Sequence, residues 1–113
     1  MKKLFIAAFI FVSTFTTNTF AEVKMGIILG FTGPIESLTP AMAASAELAF
    51  KEASDSGSLL GGEKISVIRA DSTCVDSAAA TAAAEGVISQ GVAAIMGADC
   101  SGVTGAIASN VAV

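Results

Sequence analysis

Residues 23–30, VKMGIILG, form a short apolar run that ends in glycine. Such a run is typical of a parallel strand buried on both faces. Two further apolar runs follow, ISVIRA at residues 65–70 and VAAIMG at residues 92–97. Because glycine or polar residues bound each run, the sequence predicts three short strands.

Helical segments separate these strands. The predicted helices are residues 40–56, residues 77–90 and a third helix that begins near residue 101 and is still running at residue 113. Thr39 followed by Pro40 indicates one helix start and Asp76 another, whereas Gly57 and Gly91 are typical stop residues. The β-α-β-α-β-α order predicts an α/β fold, a parallel sheet with helices on both faces.

Three side-chain arrangements can be predicted from local spacing. Glu47 and Lys51 are four residues apart and should form an exposed pair on the first helix. Gly86 interrupts the alanine-rich second helix, which suggests a close packing contact there. Asp71 and Asp99 lie in the loops that follow two of the predicted strands, and loop acids of this kind are more often solvated than bound to a ligand.

The first 21 residues have the pattern of a secretory signal peptide. Lys2 and Lys3 precede an apolar run, and Thr19-Phe20-Ala21 places small residues at a cleavage site. The alternative, an uncleaved membrane anchor, is disfavoured because residues 4–15 span only 12 residues, whereas a transmembrane helix needs about 20. We therefore expect residues 1–21 to be removed.

The residue after the predicted cleavage site is Glu22 and not cysteine, so no lipid anchor is indicated. Residues 22–113 should be exported and freely soluble outside the cytoplasm, without a membrane anchor.

Composition excludes several classes of function. The 113 residues contain no histidine and only two cysteines, which rules out His-based catalytic relays and four-thiolate zinc sites. The net charge of −4 offers no basic patch for a nucleic acid. Gly26, Gly30 and Gly33 do not match the dinucleotide fingerprint, and no phosphate-binding P-loop is present. We expect no catalytic residue, no cofactor and no metal.

The loops after the strands are the expected ligand site, because open parallel sheets bind ligands beyond the carboxyl ends of their strands. Cys74 and Cys100 lie in two of these loops, and export would let them form a disulfide; the alternative is a pair of buried thiols. Ser101 precedes the third helix. One role is to cap that helix; the alternative, which is compatible with it, is to bind a carboxylate together with the free amides there.

Three stretches resemble a known family: residues 24–37 (KMGIILGFTGPIES), residues 46–74 (AELAFKEASDSGSLLGGEKISVIRADSTC) and residues 87–102 (VISQGVAAIMGADCSG). They are similar to the N-terminal part of the branched-chain amino acid (leucine/isoleucine/valine) binding proteins of ABC transporters, which have the type I periplasmic binding protein fold. The resemblance implies a two-lobed receptor that closes on an amino acid or similar small polar solute. It also implies a location in the periplasm and delivery of that solute to the permease subunits.

The resemblance also implies roles for individual residues. In that family the cysteines that match Cys74 and Cys100 form a disulfide, and the serine after the second one binds the ligand's α-carboxylate. This places Ser101, with the neighbouring Gly102 amide, in the ligand site. The branched-chain binders carry an aromatic residue about where Leu38 stands, and here Phe31 can supply an apolar wall.

Family members have a second lobe and further ligand contacts beyond the matching stretch. By that comparison, residues 22–113 are expected to be the N-terminal part of the binding domain, truncated within a longer gene product. The same fold also serves as the ligand-sensing ectodomain of signalling receptors, which is the alternative function.

Overall fold

The computed structural model describes residues 22–111, and the predicted signal peptide lies outside the described residues. The elements are β1 (Glu22–Leu29), α1 (Thr39–Asp55), a 3-10 helix (Leu59–Gly61), β2 (Lys64–Asp71), α2 (Ser77–Ser89), β3 (Ala94–Gly97) and α3 (Ser101–Asn110). Strands and helices alternate as predicted, which confirms the α/β class.

The three strands form one parallel sheet in the order β2-β1-β3. Because β1 is central, Ile27, Ile28 and Leu29 are at most 1% exposed. Ile27 and Leu29 pack with Ala43 of α1, whereas Ile28 packs with Val87 of α2 on the opposite side. The predicted burial of this strand on both faces is thus confirmed, with helices on both faces of the sheet.

Close packing between sheet and helix occurs at Gly26, in the middle of β1. A Cβ atom at this position would lie only 2.5 Å from Cγ1 of Val87, so α2 packs directly against the strand backbone. The contact predicted at Gly86 is wrong, because a Cβ atom there would meet no atom within 4 Å.

Local sequence patterns placed most helix ends correctly. The Asp76 carboxylate accepts hydrogen bonds from two backbone N–H groups of α2, at 2.9 and 3.0 Å, and so caps the helix as predicted. Gly57 and Gly91 follow α1 and α2 with φ values of 66° and 77°, the left-handed conformation that ends many helices.

Two helix ends differ from the prediction. Leu38, not Thr39, is the N-cap residue of α1. The Thr39 hydroxyl is buried and donates instead to the carbonyl oxygen of Gly30 at 3.1 Å. α3 ends at Asn110, since Val111 has a φ of −125°, outside the helical range, and the last two residues of the predicted helix, 112 and 113, lie outside the described residues.

Within residues 22–111, no helix combines the length and the apolar character that crossing a bilayer requires.

Candidate functional site

The carboxyl ends of the three strands lead into three loops at one edge of the sheet: loop A (residues 30–38), loop B (residues 72–76) and loop C (residues 98–100). A disulfide between Cys74 and Cys100 joins loop B to loop C, with a Cα–Cα distance of 5.2 Å. The two cysteines are therefore paired and are not buried thiols, which confirms the first of the two predicted alternatives. Cys74 also packs over loop A, since a Cβ atom on Gly30 would lie 3.2 Å from its Cβ.

Asp99 connects loop C to loop A. Its Oδ2 accepts a hydrogen bond from the backbone N–H of Gly30 at 2.9 Å, across 69 positions of sequence. Its Oδ1 lies 3.5 Å from the hydroxyl of Ser72, a longer contact to a fully buried residue of loop B. Asp99 is thus half-buried and engaged by two loops, and the expectation of a solvated loop acid is wrong.

Asp71, the last residue of β2, connects loop A to loop B. It accepts hydrogen bonds from the Thr32 hydroxyl at 2.5 Å, from the Thr32 N–H at 3.3 Å and from the Thr73 N–H at 2.8 Å. Partial burial alone would raise the pKa of Asp71, but these hydrogen bonds favour the charged carboxylate and outweigh it. The pKa of Asp71 therefore lies below its usual value.

Ser101 is the first residue of α3 and is exposed. Cys100 occupies the N-cap position, and α3 has no side-chain cap hydrogen bond, so the helix-capping alternative for Ser101 is wrong. Gly102 is also exposed, and a Cβ atom there would meet nothing within 4 Å. Open space and the first amides of α3 therefore adjoin the Ser101 hydroxyl.

Phe31 follows β1 and packs against the core on the α1 side of the sheet. The guanidinium of Arg69 lies over its ring, 5.6 Å from the centroid, within the range of a cation–π contact. Ile107 of α3 belongs to the core on the opposite side. Phe31 and Ser101 therefore come from opposite faces of the sheet and share its carboxyl edge.

The same Arg69 forms an ion pair with Glu47, which was predicted to pair with Lys51. Its Nε and Nη2 atoms donate to the two carboxylate oxygens of Glu47, at 2.6 and 2.8 Å. Glu47 therefore pairs with β2, and Lys51 pairs instead with Asp55 on its own helix. The predicted Glu47–Lys51 pair is wrong, because the paired Arg fork holds both carboxylate oxygens at once.

Leu38 lies at the start of α1 with 60% of its surface exposed, so it presents an apolar side chain at the end of loop A. A separate apolar cavity of about 230 Å³ lies between α2, β3 and α3, lined by Ile88, Ile95 and Ile107 among others. None of the four candidate ligand residues lines it. The candidate site is thus the open edge formed by the loops.

A family comparison matches residues 22–113 to a periplasmic binding protein family. The chain belongs to this family. Members of this family are generally solute-binding proteins and not enzymes. In a comparison with curated proteins, no sequence matches the chain.

Two aspartates of this periplasmic binding protein have structural roles that their local sequence did not predict. Asp71 and Asp99 fasten the three loops together, although neither was expected to have a partner. Their position at or just beyond the carboxyl end of a strand is the pattern that could have pointed to them, because neighbouring loops converge there.

Proposed function

We propose that this protein is the extracytoplasmic receptor of an ABC transporter and binds an amino acid or a similar small polar solute for delivery to the permease subunits. The observation that carries this proposal is the exposed start of α3 beside the disulfide, within a chain of the periplasmic binding protein family.

The start of α3 has the chemistry for a carboxylate. The first N–H groups of an α-helix have no partner inside the helix, and the helix dipole adds positive potential there. The first turn of α3 contains no acidic residue that would repel an anion. Ser101 supplies a hydroxyl donor, and Gly102 leaves space for a ligand oxygen to approach the backbone.

The nearby negative charge of Asp99 does not compete for this position. Its two oxygens are directed at Gly30 and Ser72, in loops A and B. The carboxylate is therefore engaged within the loop cluster, and the amides of α3 are left for the solute.

The apolar side chains of Phe31 and Leu38 favour a solute that has an apolar side chain. Leu38 is largely exposed, and the Phe31 ring is held between the core and Arg69. Branched-chain binders have an aromatic residue about where Leu38 stands. An aliphatic side chain at this position favours a solute with a differently shaped side chain.

The proposed receptor has a second lobe that supplies the remaining contacts, in particular those to the ligand's ammonium group. Closure of two lobes excludes water from both sides of a charged ligand, so affinity belongs to the assembled cleft. The test therefore uses the protein expressed from its complete gene.

Isothermal titration of that protein with each standard L-amino acid should reveal at least one that binds. Replacing Ser101 with alanine should lower the affinity about 10- to 100-fold, because it removes a hydrogen bond to a charged group. The matched control is Ser77→Ala, since Ser77 is also exposed and is the first residue of the neighbouring helix α2. It should bind as wild type does.

Binding that is unchanged in Ser101→Ala would show that the carboxylate lies elsewhere. If none of the amino acids binds, the proposed solute class is wrong.

A further inference from the structure

We infer that Asp99 is a positioning residue for ligand binding, because its carboxylate holds the loop that leads into Ser101 against the loop that carries Phe31. This inference rests on the proposed function, in which Ser101 binds the carboxylate of the solute. Asp99 itself need not touch the solute.

The geometry places Asp99 between the two halves of the proposed site. It lies two residues before Ser101, and its Oδ2 accepts from the N–H of Gly30, the residue directly before Phe31, at 2.9 Å. Among the hydrogen bonds within residues 22–111, this one joins loop C to loop A directly.

The other links between loops at the carboxyl edge do not replace the Asp99–Gly30 hydrogen bond. The disulfide joins loop B to loop C, and Asp71 joins loop A to loop B through Thr32. Without Asp99, loop A would be linked to loop C through loop B and through the pairing of β1 with β3, which ends at Ile28 and Gly97 before either loop begins. The contact of Asp99 with the Ser72 hydroxyl, at 3.5 Å, adds a second and weaker restraint on the same carboxylate.

Loop position matters because hydrogen bonds weaken steeply when distance and angle depart from the optimum. A binding site whose supporting residues allow even about 1 Å of movement loses much of its affinity. Removal of the Asp99 carboxylate should therefore weaken the contact that Ser101 makes with a ligand, even though Ser101 is unchanged.

The first test compares three variants of the complete protein, titrated with the L-amino acid that binds most tightly to wild type. Asp99→Ala should lower the affinity about tenfold. Asp99→Asn should restore most of it, because the amide oxygen still accepts from Gly30 while the amide NH2 donates to the Ser72 hydroxyl, which can accept.

Asp76→Ala is the matched control, since Asp76 is a nearby aspartate that caps α2 without joining two loops. This variant loses stability at a helix start, so thermal unfolding should show a lowered Tm for it. Its affinity should nevertheless match wild type.

The second test is a double-mutant cycle between Asp99→Ala and Ser101→Ala. If Asp99 acts through Ser101, the two losses are not additive, and Asp99→Ala has little further effect once the serine is gone. A merely structural role for Asp99 predicts additive losses.

Each other outcome is decisive. Additive losses, or equal losses in Asp99→Asn and Asp99→Ala, overturn this inference and leave the proposed function standing if Ser101→Ala alone weakens binding. If Ser101→Ala alone has no effect, the proposed site is wrong, and the inference about Asp99 falls with it.

Discussion

The two edges of the sheet are held together in different ways. At the carboxyl edge, two carboxylates and a disulfide link loops that lie between 26 and 69 residues apart in sequence. At the amino edge, the turn between α1 and β2 is held by short-range contacts, such as the Ser54 hydroxyl accepting from the N–H of Ile65 at 3.1 Å.

Both edges contain residues with backbone conformations that are unfavourable for a side chain. At the amino edge, Leu60 has a φ of 48° and is 60% exposed. At the carboxyl edge, Thr73 and Cys74 have φ values of 57° and 69°. The Thr73 N–H bonds to Asp71 and Cys74 is in the disulfide, so specific contacts hold this conformation in place.

Long-range contacts therefore hold the loops of the carboxyl edge in place, whereas the turn between α1 and β2 depends on contacts between residues close in sequence. Unfavourable backbone conformations persist where surrounding contacts determine them, and such places are often functional. The contrast leads to three predictions, each measured on the protein expressed from its complete gene.

Among these changes, removal of the Cys74–Cys100 disulfide should lower the free energy of unfolding most. We expect the double variant Cys74→Ala with Cys100→Ala to lose about 3.5 kcal/mol in free energy of unfolding, from the chain entropy of a loop of this length. Urea denaturation under oxidising conditions measures it. A loss below about 1 kcal/mol would mean that the carboxylates alone hold the edge.

Asp71 should give an intermediate effect that depends on pH. Asp71→Asn weakens the hydrogen bonds from Thr32 and Thr73, and at pH 7 we expect a loss of about 1–2 kcal/mol in free energy of unfolding. The pKa of Asp71 is lower in the folded protein than the ordinary aspartate value of 3.8. Its contribution to stability is therefore fully present above that ordinary value and is lost as the pH falls through the folded pKa.

Denaturation curves for wild type and Asp71→Asn, recorded at neutral pH and again well below the ordinary pKa of an aspartate, check this sign. The difference between the two proteins should shrink at the acidic pH. A difference that stays constant would contradict a charge-dependent role for Asp71.

Glycine substitutions at the two positive-φ positions Leu60 and Thr73 should have the smallest effect on stability. Leu60→Gly should raise the free energy of unfolding by less than about 1 kcal/mol, because glycine adopts positive φ freely but loses more chain entropy on folding. Thr73→Gly should give no such gain, since the Thr73 hydroxyl also accepts from the N–H of Asp76 at 3.1 Å. Equal gains in both variants, measured by thermal unfolding, would remove the distinction between the edges.

The elements of the fold could be predicted from the sequence because their determinants are local. Apolar runs indicated the strands, and Asp76, Gly57 and Gly91 indicated helix ends through bonds or dihedral angles within a few residues. The error at Thr39 has a tertiary cause, since its hydroxyl finds the Gly30 carbonyl nine residues away.

The supports of the candidate site were harder to predict because their partners are distant in sequence. Local spacing favoured Lys51 for Glu47, but Arg69, on the adjacent strand β2, offers a better-matched fork. Asp99 has the local sequence of an ordinary loop acid, because its partner, the N–H of Gly30, is 69 residues away in sequence. The ligand-binding roles of Ser101, Gly102, Phe31 and Leu38 stay predictions.

The contact between Gly26 and Val87 couples the residue sizes that these two positions can tolerate. With 2.5 Å between a Cβ atom at position 26 and the valine methyl, neither position can gain volume alone. A larger residue at position 26 becomes tolerable only when position 87 becomes smaller or α2 moves outward. Substitutions at these positions should therefore occur in compensating pairs, although 61 residues separate them in sequence.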